Sequence, residues 1–253
     1  MNKARNQATF DDKAMTYRHF GKYYRRKCVF AEPSAKGAEA IRSFAGKYGD
    51  FIAKPIEKAG GSGIEIVHGN HPDELDTIIE KLLKKYQYGL FVEELIGQAD
   101  SMKELHPSSV NTVRIPTIRV SEKETVIFHP FLRVGRGSSV VDNAGAGGII
   151  CALDAKSGTV IAARDEVGNE YPVHPETGVK LIGFVVPQLQ SAVQTAKELA
   201  QVIPSNRYTG WDLALTKNGW IMVEGNARGQ FVWQYSTLEG CRSEIYELFK
   251  KWE

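Results

Sequence analysis

The chain has 253 residues, 42% of them hydrophobic and 25% charged, and a formal net charge of +2. That length suffices for one large domain or two small lobes with a real core, and the near-neutral balance gives no bulk electrostatic case for nucleic acid or a membrane surface as partner. Three widely spaced cysteines (Cys28, Cys151, Cys241), a polar Met1 to Asp12 and no apolar run long enough to span a bilayer exclude a disulfide framework, a zinc site and a membrane span, and lead us to expect a cytoplasmic protein.

Along the chain, Asp12 to Tyr24 reads as a short helix. Its end carries a basic cluster, Lys22-Tyr-Tyr-Arg-Arg-Lys27, whose ordinary reading is a solvated helix face and whose alternative is a polyanion contact. Ser34 is placed to cap a helix running to Tyr48, with Ala38, Ile41, Phe44, Ala45 and Tyr48 on one side. Phe51 to Lys54 is a strand stopped by Pro55, Ala59 to Gly63 a loop, and Ile64 to Val67 a strand. Pro72 starts a helix to Tyr86 with Leu75, Ile78, Ile79, Leu82 and Leu83 at helical spacing, and Leu90 to Glu94 is a strand. Next come strands over Asn111 to Val120, where Pro116 suggests an edge position or a bulge, and over Thr125 to Val134. Gly135 to Gly148 is polar and glycine-rich. Ile149 to Leu153 and Thr159 to Ala163 form a hairpin, Pro187 to Val202 an amphipathic helix, Tyr208 to Asn226 a second hairpin, and Ser243 to Trp252 a closing helix. Strands and helices mix without a regular βαβ repeat, which favours an α+β class over a doubly wound sheet.

Several segments carry chemistry. Asn218-Gly219 marks the turn of the second hairpin. With a three-residue loop from Lys217 to Gly219, Asp212 falls opposite Glu224, and Asp212, Glu224 and Asn226 share a face as a hard-oxygen cradle suited to Mg²⁺. A two-residue loop would put the two acids on opposite faces. Lys54 ends a strand just before a glycine-rich turn containing Gly60, Gly61, Ser62 and Gly63, where an ammonium and exposed amides can meet a polyphosphate, or where the chain simply turns. No Gly-Lys-Ser/Thr follows, so this is neither a Walker loop nor a dinucleotide fingerprint. Glu93-Glu94-Leu95-Ile96 ends another strand, either as a solvated terminus or as a seat for a nucleobase. Arg114, Arg133 and Arg136 lie in or just after apolar strands, where guanidinium groups cover a sheet face or converge on phosphate and carboxylate oxygens. Asp142 to Gly148 is a substrate-contacting loop or a flexible connection.

The order of these segments resembles the ATP-grasp superfamily, and within it the sugar-transfer-associated, teichuronopeptide-synthesis-like group. The resemblance runs from about Asp12 to Gln230, and its most specific pieces are Leu105-His-Pro-Ser-Ser-Val-Asn-Thr-Val-Arg-Ile115, Val140 to Gly148, and Gly210-Trp-Asp-Leu-Ala214 with Val223-Glu-Gly-Asn226. It implies two α+β lobes clasping a nucleotide, with no obvious N-terminal substrate domain: a helical segment over 1–30, a small lobe over 31–96 and a large lobe with the metal site over 97–253. By position, Lys13 and Lys54 resemble the two nucleotide lysines, with Lys54 on the α/β-phosphates. Gly60 to Gly63 would be the phosphate lid, Glu93 to Ile96 the adenine hinge, and Gln98 or Asp100 the ribose residue. Arg114, with Arg133 or Arg136, would stabilise transferred phosphoryl oxygens, and Asp212, Glu224 and Asn226 would bind Mg²⁺.

The resemblance further implies an ATP-dependent carboxylate–amine ligase working through an acylphosphate, and the group's name points to surface-polysaccharide or peptidyl-sugar biosynthesis. The carboxylate would belong to a small molecule or a saccharide, and an amine would be the acceptor. Alternatives are an ATP-dependent kinase of a small hydroxylated substrate and a non-catalytic nucleotide-binding module. Such ligases usually carry a substrate domain ahead of the first lysine, whereas twelve residues precede Lys13 here. The acceptor site is therefore expected from the large lobe, a partner chain or a missing segment.

Overall fold

The computed structural model describes residues 4–56, 58, 61–69, 72–229 and 231–251. In chain order its elements are α1 (Ala4–Asp11), α2 (Lys13–Tyr24), β1 (Cys28–Ala31), α3 (Ala35–Tyr48), β2 (Phe51–Pro55), β3 (Glu65–Val67), α4 (Pro72–Lys85), β4 (Leu90–Glu94), α5 (Asp100–Lys103), β5 (Thr112–Arg119), β6 (Thr125–Ile127), β7 (Phe131–Val134), β8 (Ile149–Leu153), β9 (Val160–Arg164), α6 (Leu189–Val202), β10 (Tyr208–Thr216), β11 (Gly219–Asn226), α7 (Trp233–Thr237) and α8 (Arg242–Lys250). The chain divides into two compact units, Asp11–Ile96 and Met1–Phe10 with Gly97–Glu253. The segment over 1–30 is thus shared between them.

The smaller unit is an antiparallel sheet in the order β1-β4-β2-β3. The helical stripe of α3 packs Ile41, Phe44 and Ala45, and that of α4 packs Leu75, Ile79, Leu82 and Leu83, into one core with Phe51, Val67, Leu90 and Val92 of the sheet. Ser34 caps α3 as its position suggested, its hydroxyl accepting from the Gly37 N–H at 3.2 Å, an interaction worth about 1 kcal/mol. Asp12 caps α2 in the same way on the Met15 N–H. Pro55 does not stop β2 but is its last residue, paired with Leu90. The β3 side of β2 is already unpaired there, since that ladder ends at Ala53–Glu65, so the missing N–H breaks no pairing.

The larger unit is a sheet in the order β11-β10-β5-β7-β8-β9, with β6 also paired to β5. The stretch Thr125 to Val134 is not one strand. It breaks at Phe128-His129-Pro130, where His129 takes φ +40°. The imidazole there stacks on Trp233 at 3.9 Å between ring centres and pairs with Glu244 at 2.7 Å, contacts that hold a backbone shape unusual for a residue with a Cβ. This break also accounts for Pro116, which lies in the middle of an interior strand rather than at an edge. β5 pairs β7 through Thr112–Arg114 and β6 through Thr117–Arg119, so Pro116 faces the gap between them, and its carbonyl accepts from Phe128 at 2.9 Å. The irregularity is in the neighbouring strand.

α6 buries Leu189, Ala192, Ala196, Leu199 and Ala200 on a stripe at helical spacing. The aromatic residues Phe128, Phe131, Tyr208 and Trp233 form a cluster with Ile118 and Ile150, against which Ile245, Leu248 and Phe249 of α8 pack.

The β10–β11 hairpin decides the register that matters most. Its turn is the two-residue Lys217-Asn218, with Thr216 opposite Gly219 at φ +96°, not the three-residue loop expected. Leu215 therefore faces Trp220 and Leu213 faces Met222. A β-bulge between Asp212 and Leu213 then admits Val223 as an extra residue, and Asp212 comes opposite Glu224 after all.

Candidate functional site

In the larger unit, an ionic network is built on the middle of the sheet. Asp212 on β10 pairs across the ladder with Arg114 on β5 and with Glu224 on β11. The Arg114 guanidinium forks onto the Asp212 carboxylate, Nε to Oδ1 and Nη2 to Oδ2 at 2.7 Å, and its Nη2 is 4.0 Å from Glu224 Oε1. Arg133 on β7 donates Nη1 to Asp212 Oδ2 at 2.7 Å and pairs through Nη2 with Asp142 Oδ1 at 2.7 Å and with Asn143 Oδ1. Asp142 is held in turn by the N–H and hydroxyl of Thr112. Asn226 donates its amide to Glu224 Oε1 at 3.2 Å.

Burial sets the electrostatics. Asp212 is 1% exposed, which alone would raise its pKa, yet Arg114 and Arg133 outweigh burial and hold its carboxyl well below the usual range. Burial lowers and Asp142 and Asp212 raise Arg133, with a net rise that keeps the guanidinium charged. Glu224 moves the other way, raised by desolvation and by the Asp212 charge opposite, although 49% of its side chain is open to solvent. With that much of the side chain in water, the Asp212 charge opposite is the stronger influence on it.

The donors suit a hard divalent cation in type: two opposed carboxylates and an amide, all offering oxygen. Among the described residues no group of three or more His, Cys, Asp or Glu could hold a metal, so beyond the two carboxylates the Asn226 amide is the side-chain oxygen this face adds, with water or phosphate oxygens to complete a shell. Arg114, bonded to one carboxylate and close to the other, is itself a cation between these two acids.

Arg136 stands apart from the other two arginines. Its guanidinium bonds Tyr171 Oη, lies 5.1 Å from the centre of that ring, and is 3.7 Å from Asp165 Oδ2. Two buried histidines that we had not singled out accompany it. His106 Nε2 meets the Gly137 carbonyl at 2.9 Å and His174 Nε2 the Gly135 carbonyl at 2.8 Å, one on each side of Arg136. His106 lies in the motif Leu105 to Ile115, which was the available signal; His174 lies in none of the motifs read from the sequence. Gln98 is tied into the same region, accepting from the Asn111 N–H at 2.7 Å and donating to the Ser109 carbonyl at 2.6 Å, whereas Asp100 is an exposed acid in the first turn of α5.

The smaller unit holds a second ionic cluster. Glu93 on β4 is 1% exposed. Arg26 donates Nε and Nη2 to its Oε2 at 2.9 and 2.7 Å, and Lys54 Nζ pairs with its Oε1. Burial pushes the Glu93 carboxyl up, and Arg26 and Lys54 together push it further down. Arg26 is buried here, so the basic cluster after α2 is not a wholly solvated face. Glu94 accepts from the Lys27 N–H, so the carboxylates of both acids expected at a hinge are already bonded within this unit. β4 ends at Glu94, which leaves Leu95 and Ile96 outside its ladder. Lys13 Nζ bonds the carbonyls of Pro55, the last residue of the strand that carries Lys54, at 3.0 Å and of Lys58 at 2.7 Å. Gly61 and Gly63 take φ of +78° and +74° around the exposed Ser62, and a Cβ on Gly63 would lie 2.6 Å from Tyr86 Oη. A side chain at Gly63 is thus opposed by the contact with Tyr86 as well as by the backbone conformation of the turn. Gly60 lies outside the described residues.

Three solved structures show the same fold. The ATP-grasp ligase PsnB complexed with minimal precursor, Mg and ADP is 16% identical, with a TM-score of 0.58 over 99% of this chain and 61% of that one. The ADP complex of PurK, N5-carboxyaminoimidazole ribonucleotide synthetase, is 13% identical, with a TM-score of 0.55 over 88% and 46%. D-alanyl-alanine synthetase A from Vibrio cholerae O1 biovar eltor str. N16961 is 11% identical, with a TM-score of 0.53 over 87% and 55%. The chain therefore spans less than two thirds of the length of each. No curated protein matches it. The sugar-transfer associated ATP-grasp model matches residues 1–247, and the chain belongs to that family.

Proposed function

We propose that the chain is an ATP-dependent carboxylate–amine ligase that uses Mg²⁺ and forms an acylphosphate, acting in the assembly of a surface polysaccharide or peptidyl sugar. The observation that carries this reading is the opposed pair Asp212 and Glu224 beside Arg114 and Arg133: anionic oxygen for a cation and guanidinium groups for phosphoryl oxygens, on adjacent strands. Family membership and the shared fold support it. So does the chemistry, which needs no nucleophilic side chain.

A substrate carboxylate oxygen attacks the γ-phosphorus, the bond to ADP breaks, and ADP leaves with the electron pair. The amine nitrogen then attacks the acyl carbon of the acylphosphate, the bond to phosphate breaks, and the amine proton passes to solvent. Lys54 neutralises polyphosphate charge, and the main chain of Glu94 to Ile96 meets the base. Asp100, the exposed one of the two ribose candidates, takes the sugar hydroxyls. Arg114 moves from Asp212 onto the transferred oxygens, while Arg133, fixed by Asp142, keeps Asp212 oriented. Asp212, Glu224 and Asn226 would hold Mg²⁺, which supplies charge neutralisation at the triphosphate.

The test is ADP release over a panel of carboxylates and amines, with product masses read directly, alongside calorimetry of Mg·ATP binding. An amide product, together with Mg·ATP binding weakened by Lys54→Ala and loss of metal dependence in Glu224→Gln, supports the reading. A phosphoester product, or no Mg·ATP binding by folded protein, refutes it.

A further inference from the structure

Lys54, the lysine proposed above for polyphosphate, is not a lone cation. It shares one carboxylate with a second cation that the chain brings from the other side. Glu93 presents Oε1 to Lys54 and Oε2 to Arg26, and the Arg26 and Glu93 side chains are 4% and 1% exposed. Arg26 follows directly on Arg25, the left-handed residue (φ +48°) that ends α2. Its Nη1 bonds the Tyr24 carbonyl at 3.2 Å, and its guanidinium lies 4.6 Å from the centre of the Tyr24 ring. It is therefore held at four points and cannot swing out to a ligand without leaving Glu93 half paired.

The consequence is in the charge. With Lys54 and Glu93 alone, the buried pair would sum to zero and offer a polyphosphate no net attraction. Arg26 brings the triad to +1 and satisfies the second oxygen of Glu93. Removing solvent makes that unit charge count for more than it would on an open surface. We propose that Arg26 is a positioning residue for nucleotide binding: by neutralising Glu93 it leaves the charge of Lys54 in surplus for the phosphates. This rests on the reading of Lys54 given above and goes beyond it, because it assigns a role to a residue expected to be solvated.

The experiment measures the Kd of Mg·ATP and its salt dependence for the wild-type chain, Arg26→Gln, Arg26→Lys and the double variant Arg26→Gln/Glu93→Gln. The expected loss in Arg26→Gln is about tenfold, the effect of one unit charge acting over roughly 10 Å at an effective dielectric near 20, with a shallower salt slope. Arg26→Lys keeps the charge and stays within about threefold of wild type on the same scale. The double variant restores the triad to +1 and recovers most of the loss, which a merely structural role would not produce. If Arg26→Gln does not fold, the lysine and double variants decide alone. Wild-type protein that binds no Mg·ATP overturns the reading of Lys54 and this inference with it. Wild-type binding with an unchanged Arg26→Gln, or a double variant as weak as a tenfold loss, overturns the inference alone.

Discussion

Asp212→Asn should destabilise the larger unit even though it is nearly isosteric. The carboxylate accepts from Arg114 and Arg133 and is 1% exposed. Breaking a buried ion pair by removing one partner costs about 3–5 kcal/mol, because the remaining charge is left without its counterion. Here the lower end applies, about 3 kcal/mol. Arg133 keeps Asp142 and Asn143, the Asn amide oxygen can still accept one guanidinium bond, and relief of the Glu224 carboxylate opposite offsets part of the loss. For a unit of this size the drop is about 6–12 °C in Tm. The pH dependence distinguishes this from a packing defect. The folded-state pKa of Asp212 is depressed, so its stabilisation is complete above the unfolded carboxylate pKa of about 3.9 and is lost as pH falls towards the folded value. Calorimetric scans of wild type and variant should differ fully at pH 7 and converge below about pH 4. A variant within about 2 °C of wild type at pH 7, or a gap that persists unchanged at pH 3, refutes the assignment of Asp212 as the ionised centre of the network.

Three further outcomes are open to direct test. Gly63→Ala places a Cβ 2.6 Å from Tyr86 Oη at φ +74°, and should cost the smaller unit about 1–3 kcal/mol in chemical denaturation; an unchanged midpoint would show that Tyr86 moves freely. Gly148→Ala sets a Cβ 2.4 Å from the Asp142 carbonyl, so it should displace the loop that fixes Arg133 and lower turnover more than it raises the Kd of Mg·ATP; equal effects on both would argue against it. Burial and the neighbouring Glu93 push the Cys28 thiol up to about 12, so at pH 8 its alkylation in the folded protein should be roughly three orders of magnitude slower than that of a free thiol. Mass spectrometry showing rapid labelling of Cys28 in native protein would contradict this.

Much of the framework was legible from local pattern. The stripes of α3, α4 and α6 repeat at helical spacing, Ser34 caps where a side-chain oxygen is needed, and the strand runs are apolar. β1 was not legible: it is a four-residue strand with only Ala31 buried, too short to show alternation. α1, α5 and α7 are short, and α7 is held by tertiary contacts of Trp233. The chemistry-bearing residue types at Lys54, Glu93, Arg114, Asp212 and Glu224 could be read from the chain, because each sits at a recognisable strand position.

Which of those residues meet was decided only by tertiary structure. The turn residues called for one loop length and the chain uses another, and the opposition of Asp212 to Glu224 depends on a bulge at Val223 that no local signal announces. Pro116 looked like an edge because its missing N–H must face an unpaired side, and that side is supplied by a break in a different strand. Arg26 looked solvated because charge runs usually are, yet a buried carboxylate 67 residues away draws it inward. Local sequence determines which elements form and which faces they bury, since periodicity and capping act within a few residues. Ion pairing and strand register join residues far apart in the chain, so the partners of Asp212 and Glu93 exist only once the sheets are assembled.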